Sequence, residues 1–289
     1  MRINLFGASE SFKNGRLAAT AFAALLAASS LNVWAAELDT SKPVVVALAN
    51  EPPYTELKPD GTMTGVGPDL DREVLRQAGF KEFTGQTMSY GAMIPAVLAS
   101  RVTMVSSASL LIRPERCAQV IFSEPTLCSS DAFMVRGVDE GKYNSYKSAA
   151  VASIKLAVGA GTVQERDAIK AGVKRENLVA YPDATSAIKL LQDKRVDAIA
   201  LNGDALKELQ KRSGDQTLKI IAPLADAPVQ CAAAAFNKND TALRDAFNVG
   251  LKKLIASGEF ATIMAKYGLE ENVKLMASAK TTSELCAQQ

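Results

Sequence analysis

The sequence predicts an α/β protein built on mostly parallel sheets, and three observations carry that expectation. Apolar, β-branched runs alternate with segments of helical periodicity from residue 43 to about residue 267. The connections between them are short and rich in Pro, Gly, Asp and Asn. The chain has 289 residues, 48% hydrophobic and 22% charged, which is ordinary for a soluble globular protein and long enough for two modest domains.

Taken in order, residues 43–50 (PVVVALAN) form a β-branched run that reads as a buried strand. A turn-rich segment with Pro52, Pro53, Pro59, Asp60 and Gly61 follows, and Pro68 stands near the first turn of a helix with Leu70, Val74, Leu75 and Ala78 on one face. Ser89 is the expected cap of a helix carrying Met93, Val97 and Leu98. Val102–Ser106 is a short strand, Arg113–Arg116 a helical turn and Ala132–Val135 a strand. A second series has strands at 155–159, 178–181, 197–201 and 218–223, with helices at 161–170, 183–194 and 204–211, the second of these with Ala187, Leu190 and Leu191 inward. The last strand, 232–236, leads to a long helix capped by Asn239 or Asp240, with Leu243, Phe247, Leu251, Leu254 and Ile255 on one stripe. Gly258 interrupts it and Phe260–Tyr267 resumes.

Composition removes several function classes. The sequence contains no histidine, which excludes Ser-His-Asp and Cys-His catalysis and any His-rich metal site. Thirty-three basic residues stand against thirty-one acidic ones with no run of like charge, so nucleic acid is not an expected partner. No cofactor and no metal is expected.

The N-terminus reads as an export signal. Arg2, Lys13 and Arg16 precede an apolar run from Leu17 to about Val33, and Val33-Trp34-Ala35 suits signal peptidase, which places cleavage after Ala35. The run is shorter than the roughly 20 apolar residues of a membrane span. Removing residues 1–35 leaves the two signs of charge balanced. The compartment is then the periplasm, where Cys117, Cys128, Cys231 and Cys286 are expected in disulfides. Three pairings are open. Cys128 and Cys231 each precede a similar apolar strand ending in Phe, which favours these two side by side. No C-x-x-C pair points to zinc.

In open α/β sheets ligands lie outside the carboxyl ends of the strands. Asn50 and Glu51, Ser106 and Ser109, Gly161 and Thr162, and Asn202 all fall at such ends, which points to one shared cleft.

Four stretches carry a family resemblance: residues 49–80, with NEPPY and GVGPDLD; residues 109–128, with RPERC and SEPTLC; LLQDKRVDAIALN; and SGEFATIMAKYGL. They resemble, in order, the family 3 bacterial extracellular solute-binding proteins of the polar amino acid ABC transporter class. Within that family NEPPY, SYGAMIP, RPERC, SEPTLC, APVQC and a Cys near the end are similar to ectoine/hydroxyectoine-binding proteins. The resemblance implies a two-lobed periplasmic-binding-protein fold of type II. Residues 36–133 and 229–289 would form the first lobe and residues 134–228 the second. Two crossover strands would join them around an interlobe cleft that closes by bending near 132–135 and 226–230.

The resemblance also implies a ligand site. Arg116 would grip a carboxylate, a task suited to its planar fork of donors. Glu51, Tyr54 and Tyr90 would surround a diffuse positive charge. Ser109 and Thr162 would offer hydroxyls, and Gly161 would let backbone approach the guest. Two positions depart from the pattern. Asn202 stands where amino-acid binders carry an Asp for the α-ammonium, and Leu111 stands where ectoine binders place a third aromatic wall. The expected function is that of the periplasmic binding component of an ABC importer, partnered by an inner-membrane permease and monomeric, with a small ectoine- or hydroxyectoine-like zwitterion as guest. The alternatives are a polar amino acid binder of the same family and a cyclohexadienyl dehydratase-like enzyme in which Glu51 serves as acid or base. A soluble receptor for a separate sensor is a third reading.

Overall fold

The structure is a computed structural model and describes residues 38–287. The proposed signal segment therefore lies outside the described residues. The chain starts with β1 (Val44–Leu48), a small hairpin of β2 (Glu56–Leu57) and β3 (Met63–Thr64), α1 (Val66–Arg76), β4 (Phe83–Thr87) and α2 (Tyr90–Leu98). Next come β5 (Met104–Leu111), the single turn α3 (Pro114–Cys117), β6 (Ile121–Phe122) and β7 (Leu127–Ser129). It then enters β8 (Asp131–Arg136), α4 (Tyr146–Val151), β9 (Leu156–Gly159), α5 (Val163–Lys170), β10 (Leu178–Tyr181), α6 (Ala184–Gln192), β11 (Ala198–Asn202), α7 (Gly203–Ser213) and β12 (Leu218–Ile221). It returns through β13 (Gln230–Phe236) to α8 (Thr241–Ser257), α9 (Glu259–Lys266), α10 (Glu270–Ala277) and α11 (Thr282–Cys286).

Besides the β2-β3 hairpin there are two larger sheets, one per lobe. The first has the order β4-β1-β5-β13-β6, with β7 also paired to β13; the second has the order β10-β9-β11-β8-β12. The chain passes from the first to the second at Ser130, between β7 and β8, and returns between β12 and β13. The sheets are mixed, which corrects the mostly parallel expectation. β1 pairs with β4 and β5, and β9 with β10 and β11, in parallel, whereas β8 and β13 run antiparallel to every neighbour. The antiparallel strands are the two that follow a crossing between lobes, so no helical crossover sets their direction.

Strict two-residue alternation places each sheet inside its lobe. Val44, Val46 and Leu48 of β1 face the helices α1, α8 and α9, while Ala47 and Ala49 face α2. In the second sheet Ala198 and Ala200 face α4 and α5, and Ile199 and Leu201 face α6 and α7. Strands covered on both faces read as continuous apolar runs, which is why β1, β9, β11 and β13 were visible in the sequence.

Several local expectations are corrected. β5 runs eight buried residues, from Met104 to Leu111 and well past the expected end at Ser106, and the apolar pattern hides this because Ser106, Ser107 and Ser109 are polar residues inside it. Neither Ser89 nor Asp240 makes a side-chain capping bond, although each occupies the N-cap position. Ile255 and Leu98 are half exposed, at 50% and 46%. Ile188, not Leu190, is among the buried residues of α6, with Ala187 and Leu191. The disulfides are Cys128–Cys231, which joins directly opposed residues of β7 and β13, and Cys117–Cys286, which ties α3 to α11.

Candidate functional site

The cleft between the lobes is built from strand ends. After β1 the chain makes a tight loop in which Glu51 and Thr55 exchange backbone hydrogen bonds of 2.8 and 3.1 Å, and the Thr55 hydroxyl donates to Ala49 O at 2.6 Å. That loop holds Glu51 with its side chain 4% exposed. β5 supplies Ser109 and Leu111, and α3, started by Pro114 in its first turn, supplies Arg116. From the second lobe the first turn of α5 brings Thr162, Val163 and Gln164, and the end of β11 brings Asn202.

Glu51, Tyr90, Ser109, Leu111, Arg116, Thr162 and Asn202 line one cavity, together with Ala108, Leu127, Ser129, Val163, Gln164 and Ala232. It measures only about 20 Å³, roughly the room of one water. It is this small because the lobes meet across it. Arg116 Nη1 donates to Leu111 O of its own lobe at 2.8 Å, and Nη2 donates to Gly161 O of the other at 3.2 Å. The Asn202 amide reaches Glu51 Oε1 at 3.4 Å, and Tyr90 Oη donates to Glu51 Oε2. Ion pairs flank the cleft: Arg212 binds Glu56 at 2.8 Å, Arg113 binds Asp167 at 2.8 Å, and Arg166 binds Glu115 at 3.1 Å.

Two of the expected residues sit elsewhere. Tyr54 is 1% exposed, is not part of the cavity lining, and has a buried hydroxyl without a hydrogen-bond partner. Gly161 is outside the lining as well and contributes its carbonyl to Arg116. Its φ of +76° suits glycine, and a Cβ there would fall 2.7 Å from the backbone N of Gly91 in the first lobe. Thr162 lines the cavity, but its hydroxyl already donates to Gly159 O at 2.8 Å and caps α5 by accepting from Glu165 N at 3.3 Å. The Ser109 hydroxyl is buried with no partner.

The electrostatics are unusual for so small a space. Burial pushes the Glu51 carboxyl up to about 8, against the stabilising Asn202 amide. Burial, with Arg166 nearby, pushes the Arg116 guanidinium down to about 9, so it stays charged at neutral pH. Among the described residues Arg116 has no ion pair, and Glu51 meets only the neutral Tyr90 and Asn202. The cavity thus holds one cation and one titratable carboxyl, both satisfied by neutral protein groups alone.

Sequence reasoning missed a polar network behind the cavity. Asp131, at the head of β8, accepts from Gln164 Nε2 at 2.7 Å, from Tyr146 Oη at 2.9 Å and from Gln230 Nε2 at 3.4 Å. Burial pushes its carboxyl up to about 6. Gln230 heads the other returning strand and also accepts from Arg113. The signal was present in DAFMV and QCAAAAF, each an otherwise apolar strand headed by a polar residue. Among the described residues there is no cluster of candidate metal ligands and no helix long and apolar enough to cross a membrane.

Two α/β lobes meet over a small cavity lined by groups from both, which is the architecture of a solute-binding protein. The chain belongs to the bacterial extracellular solute-binding proteins, family 3, whose sequence pattern matches residues 44–270. It is 32% identical over 283 residues to a probable amino-acid ABC transporter periplasmic-binding protein, y4tE, of Sinorhizobium fredii (strain NBRC 101917 / NGR234), covering 94% of this chain and 93% of that one. The crystal structure of EhuB in complex with hydroxyectoine is similar at 38% identity with a TM-score of 0.82, covering 86% of this chain and 96% of that one. The fold is shared with a mutant of ArgBP from T. maritima, at 23% identity and a TM-score of 0.71, covering 81% and 98% of the two chains. The family is one of solute-binding proteins that serve ABC amino-acid transporters.

Proposed function

We propose that this protein is the periplasmic substrate-binding component of an ABC importer and that its guest is a small zwitterion of the ectoine or hydroxyectoine type. One observation carries the reading: the Arg116 guanidinium and the Glu51 carboxyl are buried at the same cavity, and neither has a charged partner. Burying an unpaired charge costs several kcal/mol. A guest with a negative end offsets that cost at Arg116, and a positive end favours ionisation of Glu51, which burial otherwise keeps protonated at neutral pH. Arg116 spends two of its five N–H groups on carbonyls and keeps others for a carboxylate. The unpartnered Ser109 hydroxyl adds a donor on the same lobe. At the other end Glu51 and the Tyr90 ring suit a delocalised cation. Asn202 is a neutral amide where a primary ammonium would be served better by a carboxylate, which favours an amidinium over an α-amino acid.

Family membership supports an inner-membrane permease as partner. The N-terminal reading supports export to the periplasm, the charge balance disfavours nucleic acid as a partner, and the protein is read as a monomer. A polar amino acid is the second reading, favoured by the description of the Sinorhizobium relative. A thermal-shift screen with ectoine, hydroxyectoine, betaines and the common amino acids separates the two. A guest at a hundred times its Kd adds about 2.7 kcal/mol of stability. Shifts with ectoine and hydroxyectoine are expected, and shifts with amino acids alone would replace the first reading by the second. Arg116→Ala should abolish binding measurable by calorimetry; affinity within a few fold of wild type would show that the carboxylate lies elsewhere.

A further inference from the structure

Asn202 occupies the N-cap position of α7, yet its side chain makes no capping bond with that helix. An asparagine in this place ordinarily accepts from an N–H of its own first turn. Here the side chain is turned into the cleft instead. Its amide nitrogen reaches Glu51 Oε1 at 3.4 Å, and its oxygen accepts from Gln164 Nε2 at 3.4 Å. Gln164 stands in the first turn of α5, is 3% exposed and lines the cavity. The same amide nitrogen of Gln164 donates to Asp131 Oδ1 at 2.7 Å.

The direction of this chain of contacts is fixed from its Asp131 end. A side-chain amide has a donating and an accepting end, and a half-turn exchanges them. A carboxylate only accepts, so Gln164 must show Asp131 its nitrogen. The second hydrogen of that nitrogen faces Asn202, which therefore presents its oxygen and leaves its own nitrogen for Glu51. Asp131 is a firm anchor. Tyr146 Oη and Gln230 Nε2 donate to its other oxygen at 2.9 and 3.4 Å, and with its carboxyl at about 6 it is ionised at neutral pH. The direction matters to Glu51. A donor held on the carboxyl favours its ionised form, whereas a carbonyl in the same place would accept from the protonated form and favour that. Other groups face Glu51 from several elements. Tyr90 of α2 donates to Oε2, Arg116 of α3 lines the same cavity, the charge of Asp131 in β8 opposes ionisation, and the phenols of Tyr54 and Tyr181 are kept neutral by burial.

We propose that Gln164 is a positioning residue of the cleft: it holds the Asn202 amide with its N–H towards Glu51 and thereby favours the ionised carboxylate that a cationic guest needs. The need for that carboxylate rests on the zwitterion reading of the cavity, whereas the hold on Asn202 and its effect on Glu51 belong to the ligand-free protein. Without Gln164 the Asn202 amide is free to turn and offer its carbonyl to a protonated Glu51. Gln164 and Asn202 belong to the second lobe and Glu51 to the first, so the bias acts only where the lobes meet.

Carboxyl-carbon NMR titration of the ligand-free protein tests this, with Gln164→Met as the variant, since methionine keeps the length of the side chain and removes the donor. Glu51 of wild type should titrate at about 8. Gln164→Met should move that midpoint up by about half a pH unit, roughly a threefold fall in the ratio of ionised to protonated carboxyl. Loss of the Asp131 contact alone has the opposite sign, because a less ionised Asp131 opposes the Glu51 carboxylate less. In an Asn202→Leu background Gln164→Met should give no upward movement. In wild type the Asn202 side-chain amide protons should shift with the Glu51 midpoint, a readout that needs no variant. In calorimetry with ectoine, Gln164→Met should bind about threefold more weakly at pH 7 and match wild type above about pH 9.5. A Glu51 midpoint that stays or falls in Gln164→Met, an upward movement that persists in Asn202→Leu, or Asn202 protons indifferent to the Glu51 titration overturns the positioning role. Weakening by the same factor at every pH makes Gln164 a plain guest contact and overturns its link to binding through Glu51. If wild type binds no ectoine while the NMR results hold, the zwitterion reading falls and the hold on Asn202 stands.

Discussion

Glu51 is the side chain on which the chemistry of the cleft turns. Its carboxyl is pushed up to about 8 by burial, and the chain has no histidine, so no other side chain of ordinary pKa titrates between about pH 6.5 and 8. Two opposite trends follow. A cationic guest needs the ionised carboxylate, so affinity should fall about tenfold for each pH unit below 8 and level off above it. Stability of the ligand-free protein runs the other way. An acid whose folded pKa is raised above its unfolded value binds more protons when folded, so stability falls as pH rises from about 4.5 to 8. Asp71 and Asp131, each raised to about 6, contribute to the lower part of that window. Glu51→Gln should flatten both curves between pH 6.5 and 8, raise the ligand-free melting temperature at pH 8, and weaken binding there. Melting curves and calorimetry across that range check it. An unchanged pH profile in the variant would remove Glu51 from the linkage.

At the scale of elements, α3 is the piece on which the proposed binding rests most heavily. It is four residues long, too short to hold itself, and it carries Arg116 next to Cys117. The Cys117–Cys286 bond ties this turn to α11, whose Leu285 packs on the cluster beneath α2 and β5. On the other side Asp71 of α1 accepts from Ser106 Oγ at 2.6 Å and Ser107 N at 3.1 Å, and so fixes the strand that ends at Leu111. Replacing Cys117 and Cys286 together by Ser should raise the Kd about tenfold at 25 °C with the protein still folded, because α3 loses its anchor. The loss of stability, on the order of 2–4 kcal/mol, should appear separately in denaturant unfolding. A Kd unchanged by the double replacement would show that Arg116 is positioned by its own hydrogen bonds.

Across the whole molecule, the proposed binding depends on how closely the two lobes approach. Gly161 and Gly91 meet backbone to backbone at the closure surface, and the two positions are not equivalent. A Cβ on Gly161 would lie 2.7 Å from Gly91 N, whereas a Cβ on Gly91 would come no nearer than 3.9 Å to Gly161 Cα. Gly161→Ala should therefore hold the cleft ajar and lower affinity at least tenfold, and Gly91→Ala should change it less than threefold, both read by calorimetry. The ion pairs between lobes are partly exposed, and each contributes about 0–1 kcal/mol. They are screened by salt, so affinity should fall a few fold between 0.05 and 0.5 M NaCl (roughly, by the change in Debye length).

What could be read from the amino-acid order was whatever depends on short-range pattern. The buried strands β1, β9, β11 and β13 appeared as apolar runs, and Arg116, Glu51 and Asn202 were picked out by motif and by their place at strand ends. Patterns of this kind survive without coordinates because periodicity and turn chemistry are local. The structure alone decided which polar groups are already used. Thr162 and Ser109 were both expected to offer hydroxyls; Thr162 has both of its hydrogen-bonding roles filled and Ser109 has neither, while Tyr181, which the sequence did not single out, is also left without a partner. It also decided that Asp131, Gln164 and Gln230 meet behind the cavity, and that Tyr54 lies outside its lining. Such facts depend on groups brought together by the crossing strands from positions up to 99 residues apart, as Asp131 and Gln230 are. No local pattern encodes that distance, because it is set by how two sheets close on each other.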